Sequence, residues 1–205
     1  MLFKRQIVKY SLVYILTGVV RTSVVFWLPT YIYQYLGFSS QQSQGLFSVA
    51  TFCIAFASFI SVFIYEKLGH KIEKTVLLMF SSSAVFFLLT YLFHVPILNL
   101  IFIVLAIMSS NGAATLLWSR YCPSLYDTGL VSSATGFLDF LSYMAAATAN
   151  LLFSNAIEQI GWGNLILVWF ALVVCGVIVA LPYGKLRRRT APAQEAVSGS
   201  EQEKP

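Results

Sequence analysis

Long apolar runs, each near the length of a membrane crossing, alternate with short polar segments along nearly the whole chain. The runs cover about residues 8–36, 44–65, 75–93, 99–119, 129–153 and 163–183. A helix needs about 20 residues to cross a ~30 Å hydrocarbon core, so each run predicts one spanning helix. The connecting segments are short, so successive helices run antiparallel. The pattern predicts an all-α membrane protein, a six-transmembrane-helix bundle over residues 1–184. Residues 185–205 are first basic and then rich in Ala, Gln, Glu and Ser, the composition of a disordered tail. Trp27, Tyr31, Tyr33 and Tyr35 gather at the far end of the first run, where an interfacial aromatic belt is expected.

Composition agrees with this reading and removes others. Hydrophobic residues make up 58% of the 205 and charged residues 10%, against roughly 25% charged in soluble domains. A net charge of +5 would suggest nucleic acid in a soluble protein, but here the cations flank apolar runs and report orientation, so no nucleic-acid partner is expected. Cys53, Cys122 and Cys175 are far apart and form no C-x-x-C pair, and His70 and His94 are isolated. Neither a disulfide framework, a metal site nor a cofactor is expected. The apolar stretch after Lys4 and Arg5 runs on to Tyr35 and lacks a small-residue cleavage site, so it is read as a span and not as a signal peptide.

Orientation follows from the loops. Lys4, Arg5 and Lys9, then Lys67, Lys71 and Lys74, then Arg120, then Lys185 and Arg187 to Arg189 fall on one side, while the other loops carry no Lys or Arg. By the positive-inside rule both termini are cytoplasmic. The expected location is a multi-pass integral membrane protein of the plasma (inner) membrane.

One cation breaks the rule. Arg21 lies inside the first run, about 16 Å from its cytoplasmic end at ~1.5 Å per residue. Asn111 in the fourth run and Asp139 in the fifth lie at about 12 and 15 Å, so all three are near the midplane. Charge at membrane depth is expensive, and a residue that carries it there is by default a functional candidate with a partner to be found. Arg21 and Asp139 either pair with each other or face one water-filled cavity. Thr17, Tyr14 and Tyr10 continue the face of Arg21 toward the cytoplasm, whereas Val24, Val25 and Leu28 continue it outward, so the wet face closes toward the outside. Ser132, Gly136, Asp139, Tyr143 and Asn150 form a comparable stripe on the fifth run, and Ser109, Ser110, Asn111, Gly112 and Thr115 are contributed by the fourth. The candidate substrate-binding residues are therefore Arg21, Asn111, Asp139, Tyr14, Thr17 and Tyr143.

The third and sixth runs, Val76 to Phe93 and Leu165 to Leu181, are apolar nearly all round and are expected to face lipid. The order polar, mixed, apolar thus occurs twice, as in a 3+3 inverted repeat of the kind many transporters use.

Particular residues also resemble a known family. Arg21, Trp27, Pro29, Thr30 and Tyr31 resemble the seventh transmembrane helix of the organophosphate:phosphate antiporters, the glycerol-3-phosphate and hexose-phosphate exchangers of the major facilitator superfamily. Glu66, Lys67, Gly69 and Lys71 are similar to that superfamily's cytoplasmic loop signature, with Val62 at its first glycine and Glu66 for the usual Asp. Gly129, Ala134, Gly136, Phe137 and Tyr143, then Gly161 and Trp162, resemble the eleventh helix and the start of the twelfth. The resemblance covers about Lys9 to Tyr183. It implies half of a secondary active transporter, moving a small anionic organophosphate or related metabolite by alternating access. Arg21 would be a phosphate ligand, and Glu66, Lys67, Gly69 and Lys71 would form a gating loop.

The resemblance also implies a second bundle, either a separately supplied amino-terminal six-helix half or a second copy of this chain. Asp139 stands where those antiporters usually have a small residue, which leaves two alternatives: a proton-coupled carrier of a neutral or other solute, and a truncated membrane protein that transports nothing. An enzyme is not expected, since no nucleophile with a base, paired catalytic carboxylates or metal cluster is present in the pattern.

Overall fold

The computed structural model describes residues 7–181, with the side chains of Asp127 and Thr128 left aside. The basic and polar tail expected from residue 185 lies outside the described residues. Every long element is helical: α1 is Ile7–Gln34, α2 Ser40–Lys67, α3 Ile72–Leu92, α4 Pro96–Leu116 and α5 Val131–Ala180. A π-turn, Leu117–Tyr121, and a 3-10 turn, Pro123–Thr128, join α4 to α5. All five long helices are long and apolar enough to cross a membrane.

Local chemistry sets the boundaries. α2 starts earlier than its apolar run because Ser39 and Gln42 form a capping box: Ser39 Oγ accepts from Gln42 N at 3.3 Å and Gln42 Oε1 accepts from Ser39 N at 3.1 Å. α4 starts at Pro96, whose missing N–H is no loss in a first turn. Asn99, one turn later and fully buried, donates from Nδ2 to the carbonyls of Thr90 (2.7 Å) and Phe93 (2.8 Å). These bonds satisfy α3 carbonyls that have no helical partner. The same amide accepts from the Tyr31 hydroxyl, which fastens the α3–α4 turn to α1.

The fifth and sixth expected runs form one helical stretch of 50 residues. Straight, it would be about 75 Å long, more than twice the thickness of a bilayer core. It is not straight: Gly161, at φ 74° and ψ 172°, breaks it. Phe153 and Trp169, on either side of the break, have ring centroids 6.3 Å apart, where a straight helix would separate them by about 24 Å. The stretch therefore folds back on itself at Gly161, giving a first arm, 131–160, and a second, 162–180. The segment Ser154 to Trp162, read from composition as a linker, is instead helical up to the break at Gly161. Its Asn, Ala, Ile, Glu and Gln are all compatible with a helix, and only Gly161 supplies the backbone conformation that ends one.

Contacts put the ends of the bundle in register. At one end Lys9 Nζ pairs with Glu73 at 3.5 Å and donates to the Leu181 carbonyl at 3.1 Å, the rings of Tyr10 and Tyr121 lie 4.2 Å apart, and the Arg120 guanidinium sits 5.5 Å from the Tyr65 ring. Lys67, Lys71 and Lys74 are at the α2–α3 turn of that same end. At the other end Tyr31 and Trp27 pack against Trp162, with centroids 5.4 and 6.4 Å apart.

Small residues let the helices approach, as expected where lipid offers no hydrophobic drive to association. A Cβ on Gly18 of α1 would lie 1.7 Å from Ser142 Oγ, and one on Gly176 would lie 2.4 Å from the Phe80 ring. α3 and the second arm, expected to be lipid-facing all round, each bury a face: Val76, Met79, Phe80, Ser83 and Phe87 on one, Leu165, Ile166, Trp169 and Val173 on the other. The least buried long helix is α2, with Phe52, Phe56, Phe59 and Phe63 exposed along one face.

The break at Gly161 gives a direct test. Its conformation is in a region essentially reserved for glycine, and a Cβ there would meet no atom within 4 Å, so any cost is backbone strain alone. Gly161→Ala is expected to destabilise by roughly 1–3 kcal/mol, read from thermal unfolding in detergent. Gly45→Ala, within α2 and equally free of neighbours, is expected to be neutral or slightly stabilising. Equal effects at the two positions would mean that residue 161 carries no special backbone requirement.

Candidate functional site

A cavity of about 470 Å³ opens among α1, α2, α4, the π-turn and the first arm of α5. α1 lines it with Tyr14, Thr17, Gly18 and Arg21, which share one face by helical spacing. α2 adds Ser58, α4 adds Asn111 and Thr115, and the first arm adds Asp139, Ser142 and Tyr143. Beyond Arg21, Val24 and Leu28 are buried, and the Trp27–Tyr31–Trp162 cluster closes that end. Trp118 and Tyr143, more than half exposed at 53% and 59%, stand at its open rim.

All six residues singled out from the sequence line this one cavity: Arg21, Asn111, Asp139, Tyr14, Thr17 and Tyr143. Of the other positions in those stripes, Ser110 and Asn150 point elsewhere and leave Oγ and Oδ1 buried without a partner, and Ser109 faces a separate groove lined by α2 and α3.

The two midplane charges share the cavity without touching. Asp139 Oδ1 accepts from the Tyr14 hydroxyl at 2.7 Å and from Trp118 Nε1 at 3.1 Å. Lys9–Glu73 is the ion pair found among the described residues, and Arg21 and Asp139 form none. Of the two arrangements open to them, it is the common cavity that the geometry realises. Arg21 lies two helical turns beyond Tyr14, about 10 Å along the axis. Its guanidinium lines the cavity and has no hydrogen-bond partner among the described residues.

Trp118 is the second residue of the π-turn. Cys122 N reaches back to Leu117 O at 3.0 Å, a wider turn than the α-helix before it. Such π segments are frequent at functional sites because the wider turn re-aims side chains. Trp118 is two turns from Asn111, so helical spacing alone places it on the cavity side of α4. Its bond to Asp139 had no signal in the sequence. Ser58 pairs with Thr115 across α2 and α4, the hydroxyl oxygens 3.2 Å apart, while Thr17 and Thr115 also donate to carbonyls of their own helices. Those hydroxyls are thus largely engaged in packing.

The loop residues Glu66, Lys67, Gly69 and Lys71 lie at the basic end, away from the cavity lining. Gly69, at φ 67°, terminates α2 in the left-handed region, its N–H bonded to Glu66 O at 3.1 Å. Lys67 Nζ rests 4.6 Å from the Phe63 ring centre, and Lys71 precedes the first turn of α3. Among the described residues, no group of three or more His, Cys, Asp or Glu gathers as a metal site would require.

The geometry separates two couplings. In a double-mutant cycle read from thermal stability in detergent, Tyr14→Phe and Asp139→Asn are expected to interact by on the order of 1 kcal/mol, as groups in one hydrogen bond do. Arg21→Gln and Asp139→Asn should interact less than that pair. The reverse order would show that the two charges meet as an ion pair.

None of the curated proteins matches the chain. A family model described as Major Facilitator Superfamily matches residues 10–204, nearly the entire sequence. With its long apolar helices folded about a polar, membrane-depth cavity, the chain belongs to the major facilitator superfamily, a family of secondary transporters of small solutes.

Proposed function

We propose that this chain is a six-crossing bundle that forms one wall of an alternating-access carrier, and that Arg21 binds the phosphate of a small organophosphate or related anionic metabolite. The observation that carries the reading is an unpaired guanidinium lining a 470 Å³ cavity inside a major facilitator bundle. That volume is in the ~300–1,000 Å³ range of small-molecule sites. A guanidinium keeps its charge and offers a planar fork of donors that matches phosphate oxygens bidentately. The resemblance of Arg21, Trp27, Pro29, Thr30 and Tyr31 to the seventh helix of the organophosphate antiporters supports the same assignment.

Six crossings follow if each arm of α5 spans separately. At ~1.5 Å per residue the arms are about 45 and 29 Å long, and they run back to back from Gly161. The bundle is then a 3+3 inverted repeat. The open rim at Trp118 and Tyr143 faces the second wall, supplied by another six-helix bundle or a second copy of this chain. Rocking of the two walls exposes the site to each side in turn. Glu66, Lys67, Gly69 and Lys71 are placed to act as the cytoplasmic gating loop. The basic end faces the cytoplasm of a plasma (inner) membrane protein, because cations concentrate on that side.

Two experiments test this. With the chain in lipid nanodiscs, sn-glycerol 3-phosphate is expected to bind in a calorimetric titration, and Arg21→Lys to weaken it tenfold or more, since charge is kept but the fork is lost. Unchanged affinity in the Lys variant would remove Arg21 as the phosphate ligand. On a cysteine-free background, cysteines at positions 40 and 159 should react with an impermeant thiol reagent added to sealed cells, and one at position 71 should not. Labelling at 71 would reverse the orientation.

A further inference from the structure

The phosphate reading leaves the carboxylate unexplained. A solute that is only anionic would be drawn to Arg21 and repelled by Asp139, which lines the same cavity and has no cationic partner among the described residues. Its partners, the Tyr14 hydroxyl at 2.7 Å and Trp118 Nε1 at 3.1 Å, are neutral donors that hold the carboxylate in place without cancelling its charge. Both converge on Oδ1, whereas a carboxylate has about four acceptor positions in all. Acceptor capacity is left facing the cavity.

The surroundings of that capacity are aromatic. Tyr14, Trp118 and Tyr143 all line the cavity around Asp139. A carboxylate beside tyrosine and tryptophan in one cavity has the chemistry that receives an ammonium group: an anionic acceptor, and aromatic rings that attract a cation coming within about 6 Å of a ring face. Arg21 and Asp139 line the same cavity and form no ion pair with each other, which leaves the space between the two charges open to one small molecule.

We propose that Asp139, with Tyr14, Trp118 and Tyr143, is an ammonium subsite, and that the solute is a zwitterion whose amine sits at Asp139 while its phosphate sits at Arg21. This rests on the assignment of Arg21 above and adds a second pole to it. A simple amine is disfavoured by Arg21 and a simple phosphate by Asp139, so only a molecule carrying both charges satisfies both ends. Discrimination comes from repulsion of the wrong solute as much as from attraction of the right one. A proton on Asp139 would be the other way to quiet its charge, and it makes the opposite claim about amines.

The test compares O-phosphoethanolamine with its N-acetyl derivative and with sn-glycerol 3-phosphate, which keep a phosphate but lack the ammonium, on the full chain in nanodiscs. Phosphoethanolamine is expected to bind at least tenfold more tightly than either. Asp139→Asn is expected to abolish that preference, weakening phosphoethanolamine binding and tightening that of glycerol phosphate. Tyr143→Leu, at the exposed rim and away from the buried core, should lower the preference several-fold and stands in if the Asn variant does not fold. Equal or weaker binding of phosphoethanolamine by the unmodified chain would overturn the ammonium subsite and leave the phosphate site at Arg21 intact. So would a preference that survives both substitutions, or an Asp139→Asn effect confined to the pH dependence of glycerol phosphate binding. No binding of any of the three would overturn both readings.

Discussion

The cost of keeping a charge away from water governs the arrangement of this bundle. In hydrocarbon neither a guanidinium nor a carboxylate is tolerated without a partner or a wet space. The chain carries one of each at mid-depth, Arg21 on α1 and Asp139 on the first arm of α5, and does not join them. A desolvated pair would have lost most of its attraction to dehydration and would have filled the gap between the two helices. Keeping the charges apart instead requires a polar cavity. The other elements are placed around it: Gly18 against Ser142 sets how closely α1 and α5 approach, and Trp118, just past the end of α4, bonds to Asp139.

Much of the site was legible because polar residues in an apolar helix are rare and therefore informative. The spacing of Tyr14, Thr17 and Arg21, and the equal depth of Asn111 and Asp139, pointed to one location without any packing information. The closing of the face beyond Arg21 was also legible, since Val24 and Leu28 could serve no wet surface. What escaped was geometry that composition does not encode. Trp118 had the right helical spacing, but an indole near a span terminus is equally at home in an interfacial belt. Only the folded structure shows its N–H bound to the carboxylate.

The buried faces of two helices failed to show in the sequence for a related reason. In water, apolar means inside and polar means outside, so a helix displays its buried face. In a bilayer the outside is also apolar, and α3 and the second arm of α5 show no contrast between the face carrying Phe80 and Phe87, or Leu165 and Trp169, and the faces left for lipid. The segment 154–160 misled in the opposite sense. Its polarity suggested a loop, yet polarity at a membrane surface costs a helix nothing, and the chain stays helical until Gly161 takes the one conformation that turns it back.

The two ends of the bundle are held by different chemistry. At the aromatic end Asn99 is saturated by Thr90, Phe93 and Tyr31, joining α1, α3 and α4 through a buried amide, and Trp162 presses the turn of α5 onto α1. An opening inside this bundle at that end would leave several buried polar groups without partners, each at a cost of about 1–3 kcal/mol. At the basic end the ties are the half-buried Lys9–Glu73 ion pair, the bond from Lys9 to the Leu181 carbonyl, the buried Tyr10–Tyr121 ring pair and the Arg120 guanidinium over the Tyr65 ring. The aromatic end therefore depends on one buried amide shared among three helices, whereas the basic end spreads its ties over separate side-chain contacts, so loss of one contact there leaves the others in place.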